Sequence, residues 1–205
     1  HPLTEEDPSL PINAYGKSKY AGEQSVLSAK DKLNVVAIRP PLVYGPRDRG
    51  VLNFVRLVAK GIEINLGSRD RYVTVINVSD LVELLLLSAT KESGTSELYY
   101  ADDGTPVRTW FELQDTVAEI LDRKTLRIRI PLSIAFPVAL TMEVSQRLTQ
   151  RQFRINLEEY KKLSQRAWLC DGTKAQQELG FVPGKTLEHG FHEAIGWYRE
   201  TGWIQ

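Results

Sequence analysis

The sequence predicts an α/β protein: a few parallel strands joined by helices, continuing into a helix-rich lobe. Two observations carry this. The first is a helix-to-strand unit near the start. Asn13 to Lys30 reads as a helix with Asn13 as its N-cap, and Asn34 to Arg39 is a short apolar run rich in β-branched residues. Such a run suits a buried parallel strand, and the short connection fits a crossover unit. The second is a change of character after about residue 95, where capping patterns and helical periodicity dominate. No repeat, low-complexity tract or clear linker interrupts the chain. Residues 1–205 read as one unit, a parallel-sheet region over about 1–95 merging with a mostly helical substrate region over about 96–205.

The elements follow in order. Val51 to Lys60 is a second helix, closed by Gly61. Ile62 to Leu66 and Tyr72 to Ile76 are extended. Ser79 to Thr90 is a strongly apolar helix with Ser79 or Asp80 near its cap, and Glu97 to Tyr100 is strand-like. The turn Asp102-Asp103-Gly104 precedes an amphipathic helix over Thr109 to Leu121. Leu126 to Ile130 alternates apolar and basic residues, as a half-exposed strand does. Pro131 suits the first turn of the next helix. The most apolar run, Ile130 to Met142, falls short of the ~20 residues a spanning helix needs. A buried helix is its default, with an interfacial helix or the wall of an apolar pocket as alternatives. Near the end, Asp171 can cap Gly172 to Leu179 before Gly180, and Thr186 can cap Leu187 to Thr201 before Gly202.

Composition narrows the function classes. At 205 residues, 42% hydrophobic and 25% charged, the chain can bury one sizeable core. Lys plus Arg number 26 and Asp plus Glu number 26, so no global charge draws it to nucleic acid or anionic lipid. A single cysteine, Cys170, excludes an intrachain disulfide and a cysteine-built zinc site, and fits a reducing, cytoplasmic compartment. His189 and His192 stand three apart without a third ligand pattern, so no metal site is expected.

The chemistry sits in Tyr15-Gly16-Lys17-Ser18-Lys19 and in Arg39-Pro40-Pro41-Leu42-Val43-Tyr44-Gly45-Pro46-Arg47. On a helix, Tyr15 and Lys19 leave the same face one turn apart. A phenol with a pKa near ~10 is a poor proton shuttle at neutral pH, and a fixed ammonium nearby favours its phenolate. Such a pair suits a carbonyl or alcohol exchanging a proton beside a hydride carrier. The spacing alone is common among 8 tyrosines, and a solvated helix start would also produce it. Prolines 40, 41 and 46 stiffen a strand exit, the place where open α/β sheets bind ligands. Tyr44 reads equally as a site residue or as a core residue.

Both segments, in order and spacing, resemble the extended short-chain dehydrogenase/reductase superfamily, which includes nucleotide-sugar epimerases and dehydratases, hydroxysteroid dehydrogenases and dihydroflavonol reductases. The resemblance implies the C-terminal part of a Rossmann-like doubly wound fold binding NAD or NADP. It implies that Tyr15 and Lys19 are catalytic and touch the cofactor, and that Pro41, Leu42 and Val43 lie against the nicotinamide. The superfamily's Gly-rich pyrophosphate turn has no counterpart among the 14 glycines. Only Thr4 and Ser9 precede Tyr15 as hydroxyl residues, both in loop-like sequence. The expectation is therefore that the cofactor half and the catalytic Ser or Thr lie outside this chain, and that the chain alone is inactive.

Within the superfamily, nucleotide-sugar enzymes carry an Asn where Leu42 stands and an Arg where Val73 stands, with Arg69 and Arg71 close by. The tail through Trp168-Leu169-Cys170-Asp171, Glu178-Leu179-Gly180-Phe181 and Gly196-Trp197-Tyr198-Arg199 resembles the 3β-hydroxysteroid dehydrogenase and dihydroflavonol reductase branch. The expected function is oxidoreduction of an alcohol or ketone on a hydrophobic small molecule, by a homodimer. A nucleotide-sugar epimerase or dehydratase, and a non-catalytic dinucleotide-sensing or interaction protein, are the alternatives.

Overall fold

The computed structural model describes residues 1–90, 97–105, 107–149 and 156–204. Its first half runs α1 (Ala14–Leu27), β1 (Val36–Arg39), β2 (Leu42–Tyr44), α2 (Arg49–Ala59), β3 (Ile62–Leu66), β4 (Tyr72–Val73), β5 (Val75–Asn77) and α3 (Val78–Thr90). The second half continues with β6 (Glu97–Tyr100), β7 (Arg108–Thr109), α4 (Trp110–Ile120), β8 (Leu126–Ile130), α5 (Leu132–Thr149), α6 (Leu157–Leu163), β9 (Ala167–Trp168), α7 (Thr173–Leu179) and α8 (Leu187–Glu200). Three parallel pairs form the framework. Strand β1 pairs with β6 in the register Val36↔Glu97 to Arg39↔Tyr100, β2 with β5, and β3 with β8. A fourth, three-stranded sheet sets β4 between antiparallel β7 and parallel β9. The other edge of β1 carries no strand among the described residues.

Local chemistry explains most helix starts. The Asn13 side chain accepts from the Gly16 N–H at 2.7 Å, so α1 begins where the sequence predicts. Asp48 caps α2, accepting from the Gly50 and Val51 amides. At α3 the cap is Asn77, whose side chain takes the Ser79 N–H at 2.9 Å, rather than Ser79 or Asp80. Asp80 instead is buried and accepts from the Gly184 and Lys185 amides at 3.1 and 3.2 Å, tying α3 to the loop before α8. Helix α4 has a full capping box, with Thr109 accepting from the Glu112 N–H and Glu112 from the Thr109 N–H. Thr109→Ala is expected to cost about 1 kcal/mol, lowering the thermal midpoint by roughly 2–4 °C for a chain of this size. A calorimetric scan checks it.

The main core lies between α2, α4 and α8. Tyr44, Val55, Val58, Leu113, Val117, Phe191, Ala194 and Tyr198 are all buried there. Phe191 stacks on Tyr44 with centroids 4.6 Å apart and meets Phe54 edge-on at 5.9 Å. Helix α8 comes this close because residue 190 is glycine: a Cβ there would stand 2.7 Å from the Tyr44 hydroxyl and 2.5 Å from Asn77 Nδ2. A second cluster joins Ile76, Leu84, Tyr99, Leu179 and Phe181 beneath β1 and β6.

Two further expectations are corrected. The apolar run from Ile130 to Met142 is not a buried helix. It enters α5, where Ile134, Phe136, Val138 and Leu140 are 60%, 46%, 42% and 41% exposed and only Ala139 is fully covered. Apolar residues follow one another with no polar face between them, so no single packed surface can cover them all. The stretch Tyr72 to Ile76 is not one strand. It divides at Thr74, with β4 and β5 joining different sheets. Thr74 is where the chain changes partners: its N–H donates to Trp168 O of β9 at 2.9 Å, and its carbonyl accepts from the Leu42 N–H of β2 at 3.4 Å. Among the described residues no helix is long and apolar enough to cross a membrane.

Candidate active site

Helix α1 is tied to β1 by one half-buried ion pair. Arg39 donates to both carboxylate oxygens of Glu23, at 2.7 and 2.6 Å, and also reaches Tyr100 Oη at 3.0 Å and Ser9 Oγ at 2.5 Å. The Glu23 carboxylate keeps the Arg39 guanidinium firmly charged, raising its pKa above the ordinary arginine value. Arg39 ends β1, and Glu23 sits eight residues after Tyr15 in α1. At about 1.5 Å of rise per residue, Tyr15 projects past the carboxyl end of β1. That is the end from which the Pro40-Pro41 exit departs.

Tyr15 is 72% exposed and Lys19 is also exposed, one turn further on. Neither the Tyr15 hydroxyl nor the Lys19 ammonium has a hydrogen-bond partner among the described residues, so both are open to an incoming molecule. The stiff loop stands at the same end. Pro41 has no N–H and the Leu42 N–H goes to Thr74 O at 3.4 Å, while the Leu42 and Val43 side chains are half-buried against the two core clusters. Beyond them, Tyr44 turns inward and is fully buried, which makes it a core residue; burial holds its phenol well above the usual range. The loop after β2 is anchored from α8, where Tyr198 Oη donates to Asp48 O at 2.8 Å. Gly45 allows its sharp path, since a Cβ would stand 2.5 Å from Val78 Cγ1.

The other chemistry-bearing residues lie elsewhere. Burial pushes the Cys170 thiol up to about 12, and its Sγ faces Ala101 O at 3.3 Å, which makes it a poor nucleophile. His189 is a surface residue pairing with Glu193 at 3.1 Å. Val73 is buried. Arg71 is turned inward, with its Nε on Gln165 O at 3.1 Å and its guanidinium over the Trp110 ring, and burial lowers its pKa. Arg69 alone of this group points to solvent. Two open hollows, one lined by Asp115, Asp122 and Arg127 and the other by Glu5, Lys174 and Glu178, include none of Tyr15, Lys19, Pro41, Leu42 or Val43. Among the described residues no group of three or more His, Cys, Asp or Glu could hold a metal ion. Sequence reasoning missed the Glu23–Arg39 anchor, whose only sequence signal was a lone arginine ending an apolar strand.

Parallel strands with crossover helices are the fold of the extended short-chain dehydrogenase/reductase superfamily, and the family match and curated relatives place the chain there. Within that class the chain belongs to the RmlD substrate binding domain family, which matches residues 1–168. It is 28% identical over 204 residues to the ceramide reductase of Caulobacter vibrioides, covering 98% of this chain and 62% of that protein. It is 27% identical over 199 residues to the UDP-glucose 4-epimerase of Vibrio cholerae, covering 94% and 56%. In structure it is similar to MoeE5 in complex with UDP-glucuronic acid and NAD, with a TM-score of 0.71, 23% identity and coverage of 98% and 60%. RMD from Pseudomonas aeruginosa complexed with NADPH gives a TM-score of 0.72 at 16% identity, covering 98% and 61%. These likenesses show the Rossmann-like fold. The chain spans 62% and 56% of the length of the two curated relatives.

Proposed function

We propose that this chain is the proton-transfer and substrate-binding part of an NAD(P)-dependent oxidoreductase acting on an alcohol or ketone of a largely apolar molecule. The observation that carries the reading is Tyr15 and Lys19, free and exposed one turn apart on α1 beyond the end of β1. Tyr15 exchanges the proton of the substrate oxygen. Lys19, one turn further along α1, would hold the ribose of the nucleotide. Pro41, Leu42 and Val43 would form the wall against the nicotinamide ring. A nicotinamide cofactor, when bound, supplies or accepts the hydride. These residues fit its nicotinamide end, whereas its pyrophosphate end finds no Gly-rich turn among the 14 glycines.

The apolar character of the substrate is supported by α5, with its row of exposed aliphatic side chains and Phe136. Similarity to a ceramide reductase points the same way. Val73 and the inward-turned Arg71 leave little to grip a diphosphate. The UDP-glucose 4-epimerase relative and the exposed Arg69 support nucleotide-sugar chemistry as the second reading.

The test is turnover by the whole protein, read as reduced-nicotinamide absorbance with a hydroxysteroid or a long-chain ketone, and as chromatographic product formation with a UDP-sugar, because epimerisation or dehydration returns the hydride and leaves no net absorbance change. Turnover of an apolar substrate is the expected result. Turnover confined to the sugar nucleotide would replace this reading with the second, and cofactor binding without any turnover would favour a sensing protein. The 205-residue chain by itself is expected to bind NAD(H) and NADP(H) no better than millimolar, and to pair into homodimers along the open edge of β1. Titration with light scattering checks both, and micromolar binding by a monomer would reject the division of labour proposed here.

A further inference from the structure

We propose that Glu158 is a positioning residue for Tyr15, locking the α5–α6 unit to the first turn of the helix that carries it. The inference rests on the role given to Tyr15 above. The first amides of any helix lack intrahelical acceptors. In α1 the local cap satisfies Gly16, through Asn13. The Ala14 N–H, one residue before Tyr15, is satisfied from 144 positions away: it donates to Glu158 Oε2 at 2.9 Å. The other oxygen, Oε1, accepts from Lys161 Nζ at 3.0 Å. The Ala14 amide and then Lys161, with Lys17 of α1 adding attraction, hold this carboxylate below its usual range.

The contact is placed to matter. Helix α1 buries none of its residues, so few side chains hold its first turn in place. Glu158 belongs to α6, whose own start is set by Asn156 accepting from the Glu159 N–H at 2.8 Å. Tyr160, two residues on, meets Phe136 of α5 edge-on at 5.5 Å. Helix α6 thus links the two: Tyr160 meets Phe136 of the exposed apolar helix, and Glu158 of the same α6 reaches the backbone beside Tyr15. Where an apolar substrate lies against α5, the position of α6 sets the position of the Tyr15 hydroxyl. Small displacements of a reacting group cost large factors in rate.

Glu158→Ala and Glu158→Gln separate this role from simple helix capping. In the 205-residue chain, amide exchange at Ala14 is expected to speed up in Glu158→Ala while exchange at Gln24 and Ser25 stays as it was. In the whole protein with cofactor, Glu158→Ala is expected to lower kcat about tenfold with KM changed by less than about twofold. Glu158→Gln, which keeps an acceptor oxygen at the same reach, should recover most of that loss. Unchanged exchange at Ala14 would show that the contact does not form. Faster exchange with unchanged kcat would reduce Glu158 to a structural cap and overturn the proposal. Tyr15→Phe, measured alongside, separates the two layers. If it is silent, the role of Tyr15 and that of Glu158 fall together. If it abolishes turnover while Glu158→Ala does not, only the positioning role falls.

Discussion

Tyr15→Phe in the whole protein is expected to lower turnover by about 10²–10⁴-fold, the usual contribution of a positioned acid or base, while cofactor affinity stays nearly unchanged. The substitution removes one hydroxyl that has no partner among the described residues, from a side chain 72% exposed, so the fold should not register its loss. A fall in kcat with an intact thermal midpoint is the signature. Steady-state kinetics with a cofactor-binding titration checks it, and unchanged turnover would reject the proton-transfer role. Lys19→Met should act differently, because it removes both the charge beside the phenol and the group proposed to hold the ribose. Its loss should appear in kcat and in cofactor affinity together.

The largest expected effect on stability is at Phe191. This side chain is fully buried, stacked on Tyr44 and edge-on to Phe54, where α8 meets α2 and β2. Phe191→Ala is expected to cost about 3–5 kcal/mol, the transfer of the ring plus the cavity it leaves. Against a total of roughly 5–15 kcal/mol for a domain, that is a large share, and the thermal midpoint should fall by roughly 10 °C. Urea unfolding followed by tryptophan fluorescence measures it. A loss under about 1 kcal/mol would mean that α8 is not anchored in the core. The site should feel this change only through the loop after β2, which α8 holds through Tyr198 and Asp48.

Much of the chain was legible from local pattern. Asn13 before a helical run, Thr186 before another, and Gly180 in the left-handed conformation after α7 act within a few residues of themselves. The alternation in Leu126 to Ile130 became a strand, though not a half-exposed one: Leu126 and Ile128 are 66% and 37% exposed, while Arg127 reaches Glu63 and Arg129 reaches Asp70 on the other face. The cap of α3 was misread because Asn77, Ser79 and Asp80 are all good capping residues, and only the approach of Gly184 and Lys185 decides that Asp80 is engaged elsewhere. The break at Thr74 was hidden for the same kind of reason. Tyr72 to Ile76 is uniformly strand-like, and only the change of partner at Thr74, from β9 to β2, divides it.

The sequence by itself determined the helical phase that puts Tyr15 and Lys19 on one face, the strand that precedes the Pro-rich exit, and the family to which these belong. Helical phase and capping depend on bonds closed within about one turn, so neighbouring residues suffice to specify them. Only the tertiary structure decided that β1 pairs with β6, that Tyr44 is core, and that the apolar α5 stands exposed. It also decided that Arg71 turns inward and that Glu158 reaches the first amide of α1. Each of these is a contact between segments far apart in the chain, and one composition is compatible with many such pairings. Burial has the same origin: hydrophobicity favours leaving water, but which surface covers a given helix is settled by the shape of everything packed around it.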